Sequence, residues 1–239
     1  MASMVAIFLL AGTIKGFLGI GLPAAAMGLL TLFIPPTQAI PLLWLSILGT
    51  NILQFTRAPQ KREIVTTYYP FAIAIFVSIF ITSMFMADYP TALLTVAIGV
   101  AMVIFSLNLL IGFTLPIGPG NGWQIGVGLV SGVLGGLSSI WSPAVAMYLV
   151  ARNAPKERFI GATGFLFLAG VLPLGAGQIV AGLITLPVLL QSFVCMIFVL
   201  ISFRVGEELR KRVSQDRFRT IVLFAFLLMG IRLIATGLF

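Results

Sequence analysis

Lys15-Gly16-Phe17-Leu18-Gly19-Ile20-Gly21-Leu22-Pro23 interrupts one apolar run, residues 4–34, and Ser131-Gly132-Val133-Leu134-Gly135-Gly136-Leu137-Ser138-Ser139-Ile140-Trp141-Ser142-Pro143 interrupts another, residues 123–151. Glycines followed by proline stop one helix and start the next, so each run reads as two short helices. Six further runs, 38–56, 64–87, 90–112, 159–182, 187–203 and 218–238, have the length of a bilayer crossing, about 20 residues. The chain of 239 residues is 60% hydrophobic and 8% charged, more apolar surface than one soluble core of this size can hide. Mean hydropathy is +1.16. The expected fold class is therefore all-α, a polytopic membrane protein.

Charge decides how the interrupted runs travel. All charged residues except Lys15 and Arg232 fall in 57–63, residue 88, 152–158 and 204–219. If each interrupted run crossed once, three positive charges would face one side and nine the other. If each is a re-entrant hairpin that enters and leaves on one face, all twelve share a side and only Asp88 faces the other, as the positive-inside rule favours. An arm of about 14 residues spans about 20 Å, past the middle of a core roughly 30 Å thick. A single hairpin in the second half would satisfy the charges equally well, so the first rests on a repeat.

That repeat is visible in the small residues. Gly12, Gly16, Leu18 and Gly19 recur as Gly128, Gly132, Leu134 and Gly135 at an offset of 116. Pro23, Ala24, Ala26, Met27, Pro35 and Ile40 recur as Pro143, Ala144, Ala146, Met147, Pro155 and Ile160 at 120. With a hairpin and three crossings per half, 1–115 and 116–239, an odd number of crossings inverts the second half. The expectation is an inverted internal repeat, each half a re-entrant broken-helix hairpin plus three transmembrane helices.

Several function classes fall away. The chain has no histidine and one cysteine, Cys195, which removes the usual zinc sites, His-based triads and any intrachain disulfide. No cofactor is expected, and no enzyme, since no histidine or membrane carboxylate could activate Ser138 or Ser142. There is no Walker-type loop for an ATP-driven pump. The net charge of +8 comes from loops flanking apolar runs, which argues against nucleic acid. Met1 to Leu10 lacks a positive n-region and a processing pattern and reads as mature chain.

The candidate site lies at the breaks. Pro23 and Pro143 fit the first position of each return helix, with Ser142 a suitable N-cap. Buried helix N-termini attract anions. Gly19, Gly21, Gly135 and Gly136 adjoin these restarts as backbone-exposing positions, whereas Gly12, Gly16, Gly128 and Gly132 have the spacing of close helix packing. Lys15 lies too deep to reach headgroups comfortably and has no carboxylate in any apolar run to pair with, so a bound anion or a snorkelling path accounts for it. Asn51 and Gln54 share one helical face, and Ser138, Ser139, Trp141, Ser142 and Thr163 complete the polar candidates. Pro173 marks a kink or hinge, Arg232 reads as snorkelling, and Glu207 with Lys211 and Glu208 with Arg212 suit a short surface helix.

The stretch Gly16-Phe17-Leu18-Gly19-Ile20-Gly21, its echo Ser131-Gly132-Val133-Leu134-Gly135-Gly136 and the duplicated small membrane chain resemble the sulfite exporter family of TauE/SafE type, also called toluene-sulfonate uptake permeases. The resemblance covers nearly the whole chain. It implies a bacterial inner-membrane carrier of a small anion such as sulfite, sulfoacetate or a related sulfonate; the positive-inside rule puts 57–63, 152–158 and 204–219 on the cytoplasmic side, and export is the expected direction. The expected partners are the anionic substrate and the lipid bilayer; a coupling ion, Na+ or a proton, and homo-oligomerisation stay open. Alternating access with the substrate at the two tips is the leading mechanism, and an anion channel using the same breaks as a filter is the alternative.

Overall fold

The computed structural model describes residues 2–112, 118, 120–212 and 215–238. The expected boundary between the halves, 115/116, and part of the basic stretch 204–219 lie outside the described residues. Ten helices and no strand are found among the described residues: α1 (Ala2–Leu18), α2 (Leu22–Leu30), α3 (Pro36–Thr56), α4 (Lys61–Met84), α5 (Thr91–Ile111), α6 (Asn121–Ser138), α7 (Ser142–Ala151), α8 (Lys156–Val180), α9 (Leu186–Arg212) and α10 (Gln215–Leu238). Six of them, α3, α4, α5, α8, α9 and α10, are long and apolar enough to cross a membrane. The protein is an all-α polytopic membrane protein.

Helix ends follow local chemistry. Pro36 opens α3, while Pro90 and Pro155 stand just before α5 and α8, where a missing N–H costs nothing. Gly112, at φ 71, ends α5 and donates its N–H to the Asn108 carbonyl. One expectation is corrected at α9. The helix does not stop at 203 but runs on to Arg212, so the charged segment is its last turns and not a separate surface helix. Glu208 pairs there with Lys211 and Arg212, but Glu207 reaches Arg204 and Arg57 instead of Lys211.

Ion pairs draw the basic stretches to one end of the bundle. Arg57 meets Glu207 at 3.0 Å and Arg158 meets Glu63 at 3.0 Å, so 57–63, 152–158 and the end of α9 are neighbours. These pairs are partly exposed and contribute little stability. Their value here is to mark a basic end and, opposite it, a neutral end.

Side-chain neighbours then give the direction of the broken segments. Gly12 faces Val199 and Ser202 while Gly16 faces Phe203, so α1 runs parallel to α9 toward the basic end. The chain turns at Gly19 and Gly21, both at positive φ (81 and 96), where a side chain would be strained. Gly21 then faces Phe226 and Gly28 faces Met229, so α2 descends alongside α10 toward the neutral end. In the other half Gln124 Nε2 donates to the Thr67 carbonyl and Gly136 lies against Thr82, so α6 leaves the basic end parallel to α4. Trp141 packs near Ile79, whereas Tyr148 meets Phe71 edge-on at 5.0 Å, so α7 returns. Both broken segments are helical hairpins.

The contacts also exchange between halves. Trp44 packs on Gly175 and Phe55 on Gly164, positions that swap at the offset of 120 seen in the sequence. The α1–α9 contact is matched by α6–α4, and α3–α9 by α8–α4. Close approach depends on glycine: a Cβ on Gly206 would strike the Thr13 carbonyl and come within 2.8 Å of the Phe17 nitrogen. Gly206→Leu is accordingly expected to destabilise the folded protein by about 1–3 kcal/mol. Gly122→Ala, where a Cβ meets nothing within 4 Å, should stay within about 0.5 kcal/mol of the parent. Thermal unfolding in detergent compares the two, and equal midpoints would contradict the α1–α9 packing.

Candidate functional site

Lys15 sits one turn before the end of α1, buried to 1% exposure. Its ammonium donates to Asn51 Oδ1 on α3 and lies 5.8 Å from the centre of the Phe167 ring on α8. Every ion pair among the described residues belongs to the basic stretches, so Lys15 has no carboxylate partner there. A carboxamide dipole and a ring face offset only part of the several kcal/mol that burying such a charge costs.

Several polar groups on the elements around Lys15 are buried and unpartnered. Because the Asn51 oxygen is turned toward the ammonium, its NH2 points elsewhere, and Nδ2 is buried with no partner. Trp141 meets Phe167 edge-on at 5.8 Å, and its indole Nε1, a donor only, is likewise buried and unpartnered. The hydroxyls of Ser139 and Ser142, on either side of Trp141, are also unpartnered. Ser131 Oγ donates to the Trp141 carbonyl at 2.9 Å and holds this turn in place. Each of these donors calls for an acceptor.

The breaks differ in detail from their expected form. Leu22 and Ser142 open α2 and α7, so Pro23 and Pro143 occupy the second helical position; their missing N–H is still one the first turn leaves free. Ser142 is therefore not an N-cap, and its hydroxyl bonds no backbone group. Gly135 and Gly136 lie inside α6, not in the break: a Cβ on either would press on Trp141 and Ile79 or on Thr82. The turn is made by Ser139, at φ 61, a conformation costly for a residue with a Cβ. Ser138 closes α6, with Oγ donating to the Leu134 carbonyl at 2.6 Å and accepting from Ile140 N at 3.0 Å. Gly19 N–H donates to the Lys15 carbonyl and ends α1, while Gly21 faces Phe226 and Ile14.

One turn nearer the basic end, Gln54 Nε2 donates to the Ile160 carbonyl at 2.8 Å and to Thr163 Oγ1 at 2.9 Å. Its Oε1 is buried without a partner. Above this bridge a cavity of about 430 Å³ opens among the basic stretches, walled by Gly16, Arg57, Ile160, Glu207 and Arg210, with Gln54 among its lining. Lys15 and Asn51 are not among the lining residues of this vestibule, whereas their neighbours Gly16 and Gln54 are.

The structure thus joins Lys15, Asn51 and Trp141 through Phe167, and joins Gln54 to Thr163 above them. Phe167 and Ser131 escaped the sequence reading. Each carried a signal: Phe167 is one turn from Thr163, and Ser131 stands at the offset of 116 from Lys15.

Compared with known proteins, residues 4–233 match the family model described as sulfite exporter TauE/SafE. No curated protein and no solved structure matches the chain.

If the Lys15 charge serves a ligand and not the fold, Lys15→Met should melt no lower than the parent in anion-free buffer, since it removes a costly buried charge at similar volume. Asn51→Leu strands the ammonium and should cost about 1–3 kcal/mol. A Lys15→Met protein that melts well below Asn51→Leu would mean the ammonium is structural.

Proposed function

The chain belongs to the sulfite exporter TauE/SafE family, and from that premise we propose that it carries a small sulfur-containing oxyanion, of the sulfite, sulfoacetate or related sulfonate class, across the bacterial inner membrane. The observation that carries the reading is the Lys15 ammonium, buried with a neutral partner among the unpartnered donors Asn51 Nδ2, Trp141 Nε1 and the hydroxyls of Ser139 and Ser142. A sulfite or sulfonate head group supplies several acceptor oxygens and the missing negative charge. The same site rejects cations by charge, and neutral solutes by leaving the ammonium uncompensated.

The basic end is the cytoplasmic one under the positive-inside rule, and both hairpins are re-entrant, one from each face. That arrangement gives an inverted duplication, supported by the exchange of Trp44–Gly175 with Phe55–Gly164. The anion enters the vestibule past Arg57 and Arg210, passes the Gln54 bridge when α3 and α8 part, and binds at Lys15. An inside-negative potential then favours outward movement of a monoanion by about 2.3 kcal/mol per 100 mV, which suits export.

Asn51→Asp is the sharpest test, because it places a carboxylate against the Lys15 ammonium and fills the need for an anion from within. Thermal shift of the purified protein across sulfite, sulfate, sulfoacetate, carboxylates and neutral analogues should show selective stabilisation by one sulfur-anion class. In Asn51→Asp and Lys15→Ala the apparent affinity should fall by at least about tenfold, or about 1.4 kcal/mol. Unchanged affinity in both variants, or stabilisation by neutral analogues, would place the substrate elsewhere. Proteoliposome flux of sulfite should saturate and exchange, whereas discrete single-channel currents would indicate a pore.

A further inference from the structure

Gln178, near the end of α8 and remote from the basic vestibule, has 0% exposure, and neither its amide oxygen nor its nitrogen has a hydrogen-bond partner. A buried carboxamide left wholly unpaired is costly, and the described fold gives it no structural task.

Its position explains it. At 100° per residue, Ile160, Thr163, Phe167, Gly170, Leu174 and Gln178 fall within about 80° of one another on α8. This face runs from the vestibule wall, past the partner of Gln54 and the ring under Lys15, beneath Trp141 at Gly170, and on to the neutral end. The offset of 120 that exchanges Trp44–Gly175 with Phe55–Gly164 also pairs Gln178 with Ala58, and Leu174 and Ile40 with Gln54 and Ile160. Ala58, Gln54 and Ile160 line the open vestibule. Their counterparts Gln178, Leu174 and Ile40 are all at 0% exposure, so the equivalent space at the neutral end is packed shut.

We infer that this packed region is the second gate of the carrier and that Gln178 is its polar lining, exposed to water and to the departing anion when α3 and α8 part at the neutral end. The closed, unpaired amide is then a group whose hydrogen-bond partners belong to the other conformation. The apolar pair Leu174 and Ile40 seals the gate while the vestibule is open, and Gln178 supplies the donor that Gln54 supplies at the basic end. This inference rests on the carrier reading above, but its location does not depend on which anion is carried.

The test uses the full chain in proteoliposomes with Cys195→Ser as background. Ala58→Cys, Leu174→Cys and Gln178→Cys are treated with a membrane-impermeant maleimide from each face in turn, with no anion added and then with sulfoacetate, because sulfite would itself add to the maleimide. Leu174→Cys and Gln178→Cys should react from the face opposite to the one that labels Ala58→Cys. Gln178→Leu should lower sulfite flux by about tenfold while leaving the sulfite thermal shift intact, because the binding site is untouched. If Leu174→Cys and Gln178→Cys, eluting as monodisperse protein, resist labelling from both faces or label from the Ala58 face, the second gate is overturned. Unchanged flux in Gln178→Leu overturns the role of the amide. Loss of the anion-site reading would show separately, as a sulfite thermal shift indifferent to Lys15→Ala, with the anion-free labelling still deciding where the gate lies.

Discussion

Desolvating the Lys15 ammonium costs several kcal/mol, and among the described residues the Asn51 oxygen and the Phe167 ring are the groups turned toward it. Three helices must therefore be held at fixed separations around one charge: α1 carries it, α3 brings the carboxamide and α8 brings the ring. The contacts that fix those separations are small-residue contacts. Gly16 and Gly206 bring α1 and α9 into backbone contact, and Gly164 and Gly175 let α3 and α8 approach behind Phe55 and Trp44. The polar centre is costly and the packing around it is close, so positioning of the charge is supplied by the scaffold and not by the charge itself.

Most of the fold was legible in apolar run length, because a membrane crossing needs a minimum length that water-soluble helices do not. The hairpins were legible because a charge imbalance and a glycine-proline pattern pointed the same way. What failed were boundaries that depend on single side chains. Arg204 looks like the end of a crossing, yet Glu207 and Glu208 find cations a turn away, and the helix continues through them. Gly135 and Gly136 read from sequence as backbone-exposing positions of the second break. The chain instead turns at Ser139, since both glycines are needed inside α6 against Trp141 and Thr82. Composition alone does not say whether a glycine is there for its conformation or for its size.

At the site, residue type was informative and pairing was not. Lys15, Asn51, Gln54 and Trp141 were conspicuous as polar groups in hydrocarbon. That Asn51 faces Lys15 while Gln54 faces Thr163 depends on the rotation of α3 against α8, which no local pattern encodes. The polar groups do not follow the offset that relates Trp44–Gly175 to Phe55–Gly164. The position matching Lys15 is Ser131, whose hydroxyl holds the Trp141 carbonyl and carries no charge. A second ammonium there would double the desolvation cost of the polar centre.

The parallel packing of α1 on α9 sets an order on biosynthesis. About 190 residues separate the facing positions, so at about 5–20 residues per second α1 waits on the order of 10–40 s for the surface it packs against. Roughly 55 residues separate α4 from its counterpart contact on α6, a wait several times shorter. During that longer interval a hairpin with a lysine near its tip must be tolerated by the insertion machinery or by lipid without its partner. α6 can thus dock on α4 of the first half long before α1 meets α9.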